Sequence, residues 1–541
     1  MAFQEKKDSK YIGISWNDFI DDIQSIAANL ARLGFAKGDK MVLFSRNRLE
    51  MLQMELAIMA SGGVSVPIYA NFIQEPAETL IRHCDAKFLA VAGQGHLDRI
   101  DPSLPMDKIF VFDDVADKRF TNLFSFRDLL RRPAEGTSAF LTDTDPHETC
   151  LNMYTSGTMG DLKCVQLSHH NILSQQAALD ILWDIDENDV FLSYLPWHHS
   201  FGGIFEKFTA LYNGATISIE SSYGKDAREI MENWNLVRPT VFFSVPKVYQ
   251  ELVSLALEDK EVERAFFHPG LKFIFTAAAA LPHNISVEFE KRNIAIIEGY
   301  GLTETSPCCT LTDPVLKREQ GVVGNPIPGV SIRLEDDGEI LVKGPNIMSG
   351  YYKNDILNKQ VFTEDGYFRT GDLGEISPDG LKIMGRKDRI FKLLNAEKVL
   401  PSELEDNIRD KCNFITYALV EGDGQSYPVV LLFPNKRLIE SARQGKDIKI
   451  DQCVCPKSLD ELSVCLGRCL NEVNIELKQK FARIKKAMIV DDELSVENKT
   501  LTPSMKLIPK NIKSLYRAHV MKMYGEDASL EQNVFLITLG D

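Results

Sequence analysis

The sequence predicts an α/β protein of more than one domain, and three observations carry that prediction. Short apolar runs of strand character alternate with amphipathic stretches of helical period, which is the pattern of parallel sheets with helices on their faces. The chain has 541 residues, whereas single cores stop growing near roughly 250–300 residues. Apolar residues make up 44% and charged residues 26%, the balance of a globular chain.

Taken in order, Ser15 to Leu33 reads as an amphipathic helix, because Phe19, Ile20, Ile23, Ile26, Ala27, Leu30 and Leu33 recur near helical spacing and Gly34 closes it. Met41-Val42-Leu43-Phe44 reads as a buried strand, Leu49 to Ala60 as a helix ended by Gly62-Gly63, and Val64 to Tyr69 as the next strand. Pro102 to Pro146 carries many charges and several prolines and is expected to be a variable surface excursion. An apolar run ends at Tyr154, and a helix is expected to start at Ser168. Val190 to Leu195 is a strand that delivers Pro196-Trp197-His198-His199-Ser200-Phe201-Gly202-Gly203. Thr240 to Pro246 and Leu271 to Phe275 are short apolar strands of a second sheet, separated by a helix through Val248 to Leu257. The second of these runs into the alanines of Thr276 to Leu281, and Ile294 to Ile297 leads to Tyr300.

The formal net charge of -16 argues against a nucleic-acid binder and against tight electrostatic docking on anionic lipid. It leaves room for an anionic substrate, which needs only a local positive pocket. No apolar run of about 18 residues and no signal-peptide core is present, so no transmembrane segment is expected and a cytoplasmic location is the default. The ten cysteines are scattered, which favours reduced thiols over a disulfide framework. Cys453, Cys455, Cys465 and Cys469 cluster without a CxxC pair, and the last two stand one helical turn apart, which suits a helix face better than a zinc site.

The chemistry gathers at Met153-Tyr154-Thr155-Ser156-Gly157-Thr158-Met159-Gly160-Asp161-Leu162-Lys163. Hydroxyls and glycine-flanked amides can donate to phosphate oxygens, glycine lets the backbone approach, and Lys163 adds a compact positive charge. It is not a Walker A loop, since Asp161 and Leu162 separate Gly160 from Lys163 and Cys164 stands where Ser or Thr would hold magnesium. Alone, the stretch could equally be an ordinary Ser/Thr/Gly turn. The His pair before Gly202-Gly203 reads as a ligand-facing turn or as two merely hydrogen-bonded histidines.

Four further stretches follow in order: Glu298-Gly299-Tyr300-Gly301-Leu302-Thr303-Glu304-Thr305-Ser306, Tyr367-Phe368-Arg369-Thr370-Gly371-Asp372, Gly385-Arg386-Lys387-Asp388 and Leu501-Thr502-Pro503-Ser504-Met505-Lys506. With the loop, they resemble the adenylate-forming superfamily of acyl-CoA synthetases over nearly the whole chain. Val66-Pro67-Ile68-Tyr69, Val245-Pro246-Lys247-Val248-Tyr249 and the tail from Val496 to Tyr524 are similar to the long-chain fatty acyl-CoA synthetase branch.

The resemblance implies a large N-terminal domain, residues 1–387, with parallel-rich sheets flanked by helices and the ATP and acyl sites. A small mobile α+β lid domain, residues 388–541, would begin at a hinge, Asp388. It implies ATP, magnesium and CoA as partners of a fatty acid, with acyl-adenylate formed first and acyl-CoA second. Thr155, Ser156, Gly157, Thr158, Gly160 and Lys163 would line the phosphates. Tyr300 and Gly301 would face adenine, Thr303 and Glu304 the phosphates and magnesium, Asp372 the ribose diol, and Arg386 ribose or phosphate. His199 would stand near the acyl carboxylate, Lys506 between that carboxylate and the α-phosphate, and Lys392 on the loop that helps bind CoA.

Some positions depart from the family pattern. Leu162 replaces a usual proline, Cys164 and Ala396 replace glycines, and Ala277 to Ala280 add methyl groups where related chains carry glycine. The segment that usually precedes Ile14 is nearly absent, so an edge strand or helix is expected to be missing or supplied differently. Two alternatives stay open: transfer of the acyl group to a carrier-protein phosphopantetheine, and a catalytically weak acyl or nucleotide binding protein. Peripheral contact with a membrane surface is compatible with either.

Overall fold

The computed structural model describes the chain except residues 133–143, 157–161, 278–280, 315–320, 413, 444–455, 496–497, 503–505, 526–533 and 540–541. Two large mixed sheets form the N-terminal part. In the first, Lys40–Phe44 runs parallel between Val64–Pro67 and Phe88–Val91, and the parallel strands Lys108–Val111 and Leu123–Ser125 continue one side. On the other side Thr149–Ser156 follows in parallel and then turns back antiparallel as Leu162–Ser168. The second sheet is centred on the parallel strands Val190–Ser193, Thr216–Ile219, Val241–Ser244, Phe273–Thr276 and Ala295–Tyr300.

One apolar core joins the inward faces of both sheets through the helix Leu49–Ala60, which is buried on nearly every side. Within that core Lys207 donates to Glu55, and both side chains are fully buried. The helix Trp16–Arg32 begins where the Ser15 hydroxyl accepts from the Asp18 N–H at 3.2 Å. The helix His169–Leu182 begins at Ser168, whose side chain and that of Asn171 each take the other's backbone N–H. These caps satisfy donors that a helix start otherwise leaves bare.

One expectation needs correction. The stretch from Pro102 to Pro146 is not only surface: its strands Lys108–Val111 and Leu123–Ser125 extend the first sheet, and Phe110 and Phe126 are core residues. Strands of four and three residues carry too little periodicity to stand out from the charges and prolines around them. The first residues also supply an edge. Phe3–Lys7 and Lys10–Ile14 form a hairpin, and its first strand lies parallel to Thr216–Ile219.

A four-stranded antiparallel sheet follows, built from Ser331–Leu334, Glu339–Lys343, Phe368–Ser377 and Gly380–Arg386. The smaller C-terminal domain has its own sheet of Ile415–Glu421, Val429–Pro434, Lys486–Val490 and Val534–Thr538. The helices Pro401–Lys411 and Leu459–Glu476 cover it, with a separate core. Among the described residues no helix is long and apolar enough to cross a membrane.

Candidate active site

The phosphate-type stretch begins and ends on two antiparallel strands, Thr149–Ser156 and Leu162–Ser168. Thr155 pairs opposite Lys163 and Ser156 opposite Leu162, so strand register sets where the lysine leaves the backbone. Gly157, Thr158 and Gly160, and the side chain of Ser156, lie outside the described residues. The short strand Gly350–Tyr351 pairs with the returning strand, Tyr351 against Val165. Lys163 Nζ stands over the Tyr351 ring, 5.4 Å from its centre.

Beside it, the strand Ala295–Tyr300 ends at Gly301. A Cβ on Gly301 would lie 1.6 Å from the Pro307 carbonyl oxygen, so only glycine lets the next turn fold back this tightly. The Thr303 hydroxyl donates to Ser200 Oγ at 3.0 Å, tying this turn to the His198-His199 turn. Glu304 is held twice by one segment: its carbonyl accepts from the Met348 N–H at 2.8 Å and its Oε1 from the Tyr351 hydroxyl at 2.6 Å. Among the described residues no donor bonds its Oε2.

Asp372 and Arg386 face each other because they are register partners on adjacent antiparallel strands. Arg386 Nη1 donates to Asp372 Oδ1 at 3.0 Å, and the Tyr300 hydroxyl donates to Oδ2 at 2.7 Å. Burial pushes the Asp372 carboxyl above its ordinary value, with Arg386 and Tyr300 opposing. Lys506 reaches this group from the smaller domain. It is exposed as a residue, but its ammonium is desolvated, which lowers its pKa. The field of Asp372 raises that pKa and the field of Arg386 lowers it further.

His199 feels the same ammonium. Desolvation first and Lys506 second push its imidazole down to about 4, so the ring is neutral near pH 7 and its Nδ1 accepts from the Phe201 N–H at 3.3 Å. The glycine at 203 serves this turn, since a Cβ there would lie 1.9 Å from the Trp197 carbonyl oxygen. Beyond it the π-helix Phe201–Glu206 begins an aromatic wall, in which Phe201, Phe205, Phe243 and Phe275 pack with ring centres 4.8–6.4 Å apart.

The structure thus joins Lys163 and Glu304 through Tyr351, and Tyr300, Asp372 and Arg386 directly, with Lys506 near enough to act electrostatically on Asp372 and on His199. It does not bring in Lys392. That residue is exposed on the hairpin of Phe391–Lys392 and Lys398–Val399, and its backbone bonds to Asp423 and Gly424 of the smaller domain. Tyr351 and Ser200 were not singled out by the sequence. Tyr351 sits in Gly350-Tyr351-Tyr352, which reads as an ordinary strand end, and Ser200 follows a His pair that draws the attention.

The model of the AMP-binding enzyme family matches residues 2–352, and that of the AMP-binding enzyme C-terminal domain matches residues 388–528. The chain belongs to the AMP-binding enzyme family. It is similar to the peroxisomal long chain acyl-CoA synthetase 7 of Arabidopsis thaliana, with 26% identity over 96% of this chain and 83% of the relative. It is equally similar to a long-chain-fatty-acid–CoA ligase of Mycobacterium bovis, with 26% identity over 97% and 95%. The fold matches that of o-succinylbenzoate coenzyme A synthetase from Bacillus subtilis, solved with ATP and magnesium ion, with a TM-score of 0.72, 20% identity and coverage of 95% and 96%.

In this AMP-binding enzyme the residues fit a magnesium ion of the nucleotide-borne kind. Among the described residues no group of three or more His, Cys, Asp or Glu is arranged to hold a metal by itself. Magnesium commonly takes one or two carboxylates and completes its shell with phosphate oxygens and water. Glu304, with Oε2 open, provides one such carboxylate beside the phosphate-type loop.

Proposed function

We propose that this AMP-forming acyl-CoA synthetase activates a medium- or long-chain fatty acid, first to acyl-adenylate and then to acyl-CoA. The observation that carries the reading is the buried, hydrogen-bonded group of Tyr300, Asp372 and Arg386 in the larger domain, with Lys506 of the smaller domain inside its electrostatic reach. A fatty carboxylate and the α-phosphate of ATP repel each other, and an ammonium between them offsets that repulsion. The carboxylate oxygen then bonds to the α-phosphorus as the bond to pyrophosphate breaks. In the second step the CoA sulfur bonds to the acyl carbon, AMP leaves with the oxygen, and the thiol proton is released.

Each cluster has its part in this reading. Asp372 accepts from the ribose hydroxyls, Tyr300 and Gly301 border adenine, and Arg386 keeps Asp372 in place while facing ribose or phosphate. The loop residues Thr155 to Gly160, Lys163 and Thr303 surround the phosphates. Bound magnesium would supply charge neutralisation on those phosphates, and Glu304 is the residue to hold it. Neutral His199 orients the acyl carboxylate without adding a competing charge. The aromatic wall that starts at Phe201 favours an apolar acyl chain over a second carboxylate.

The domain reading rests on the residues around Asp388. Lys387 bonds to Asp337 and Glu339 of the larger domain, at 2.6 and 2.9 Å, while Arg389 grips Glu405 of the smaller one with two bonds of 2.7 Å. Asp388 is therefore the pivot between residues 1–387 and 388–541, and rotation there exchanges Lys506 for the Lys392 hairpin at the acyl-adenylate. A cytoplasmic location is part of this proposal. The test is a panel of carboxylates with ATP and magnesium, read by mass spectrometry for acyl-AMP, with CoA or holo carrier protein as acceptor. A medium- or long-chain preference with CoA thioester as product is expected. A preference for acetate or an aryl acid, or transfer to carrier protein alone, overturns it.

A further inference from the structure

Glu304 and Lys163 carry opposite charges at the same end of the site, yet they form no ion pair with each other. Tyr351 stands between them. Its hydroxyl donates to Glu304 Oε1 at 2.6 Å, and its ring face lies under the Lys163 ammonium, 5.4 Å from ring centre to Nζ. A carboxylate and an ammonium that share one neighbour and are both left free to move would pair, and neither would then be available to phosphate or metal.

Tyr351 itself is fixed from several directions. It is 3% exposed, and its strand pairs with the one that carries Lys163. Its N–H donates to Asn358 Oδ1 at 2.7 Å, and Asn358 Nδ2 donates back to its carbonyl at 3.0 Å. The Ser349 and Tyr352 N–H groups bond to the carbonyls of Gln166 and Cys164 at 3.1 and 2.8 Å. The segment just before it holds the Glu304 carbonyl through the Met348 N–H. Both ends of the Tyr351 side chain therefore act from a rigid base.

We propose that Tyr351 is a positioning residue for the metal and phosphate end of the site: it holds Glu304 through one oxygen, leaves the other open, and keeps Lys163 on its ring face so that the two charges do not cancel. The ring contributes separately, as a cation–π perch for Lys163. The inference rests on the assignment of Glu304 and Lys163 to magnesium and phosphate.

The experiment compares Tyr351→Phe and Tyr351→Leu with the parent in calorimetric binding of ATP, with and without magnesium. Binding needs no acyl substrate, so a wrong assignment of the fatty acid leaves this test intact. Tyr351→Phe keeps the ring and loses the bond to Glu304. It should weaken magnesium-ATP binding by roughly tenfold or more, the usual effect of losing a charged hydrogen bond, and change ATP binding in the absence of magnesium little. Tyr351→Leu should weaken both, because Lys163 loses its perch. Excess magnesium should restore pyrophosphate release by Tyr351→Phe but not by Tyr351→Leu. Magnesium-ATP affinity within twofold of the parent in a folded Tyr351→Phe protein overturns the proposal. Equal loss of binding with and without magnesium in Tyr351→Phe also overturns it.

Discussion

Replacing Asp372 by Asn should separate what this residue does for the fold from what it does for ATP. Its side chain is 8% exposed and accepts from Arg386 at 3.0 Å and Tyr300 at 2.7 Å, contacts that suggest a stabilising pair. The direction of its pKa says otherwise. Burial raises the carboxyl above its ordinary value in spite of both partners, so the ionised form is less comfortable in the free fold than in water. For an acid raised in this way, the stabilising contribution is present at low pH and is lost as pH rises through the raised value. At neutral pH the charge is a cost that the fold carries. Asparagine is isosteric and removes that cost; its one carbonyl oxygen can still accept from Arg386 while its NH2 donates to the Tyr300 hydroxyl oxygen, so Asp372→Asn should melt without ligand at or slightly above the parent temperature. ATP affinity should move the other way. Each ribose hydroxyl bonded to a charged acceptor is worth about 1.5–3 kcal/mol, and the amide offers one weaker acceptor, so ATP binding should fall roughly ten- to a hundredfold. Thermal melts with and without ATP, together with calorimetry, read both effects. A melting temperature several degrees lower with unchanged ATP affinity would mean that Asp372 is a structural turn residue, and the reasoning would fail.

Lys506→Ala should lose pyrophosphate release by roughly a hundred- to thousandfold, the scale of deleting one preorganised transition-state donor, while chemically made acyl-AMP and CoA still give thioester near the parent rate; equal loss of both half-reactions would count against the assignment. Because the Lys506 ammonium is held below its ordinary pKa of 10.5, pyrophosphate release should fall on the alkaline side before that value, and Lys506→Arg should move the limb upward; an unmoved limb would point to another group. Ala396 has a φ of 65°, where an L side chain costs about 1–2 kcal/mol and glycine gives back part of that in unfolded-chain entropy, so Ala396→Gly should raise the melting temperature, and a fall would show that its methyl group packs.

Much of the fold was legible because its long elements agree with their local signals. Ser15 and Ser168 are good N-caps placed just before apolar periodicity, and Met41–Phe44 and Val241–Ser244 are β-rich runs bounded by breakers. The return strand Leu162–Ser168 was not legible. It reads as the end of a loop because its inward residues, Cys164, Val165 and Leu167, do not alternate cleanly, and only pairing with Thr149–Ser156 makes it a strand. The π-helix at Phe201–Glu206 has no sequence signature; it follows from the close approach of Gly203 to Trp197. At the site, residues that bear chemistry inside short motifs could be listed from sequence alone. Their grouping could not, because Asp372 meets Arg386 by antiparallel register and Lys506 comes within their electrostatic reach from the smaller domain. Tyr351 was invisible for the same reason, since its role lies in two partners 47 and 188 positions away in the chain.

In the proposed mechanism the small domain carries two working elements, Lys506 and the Lys392 hairpin, and the segments that bear them pack on the two faces of one sheet. A rigid body cannot present both to one acyl group unless they are adjacent. Here Lys506 lies within the field of Asp372 while the backbone of Lys392 is bonded only to residues of its own domain. Alternation is therefore required by geometry if both take part. The proposed pivot, Asp388, is also tied to the group that holds Asp372. Arg386 shares its guanidinium between Asp372, through Nη1 at 3.0 Å, and Asp388, through Nε at 3.6 Å. The Asp372 bond is the shorter and more buried; the Asp388 contact is long and about a third exposed on each side, the class of ion pair worth about 0–1 kcal/mol. When the backbone turns at Asp388, Arg386 gives up the weak contact and keeps the strong one. On the proposed mechanism, Asp372 would then stay in place as the ribose acceptor through the domain rotation, and AMP would remain bound while the thiol approaches the acyl carbon.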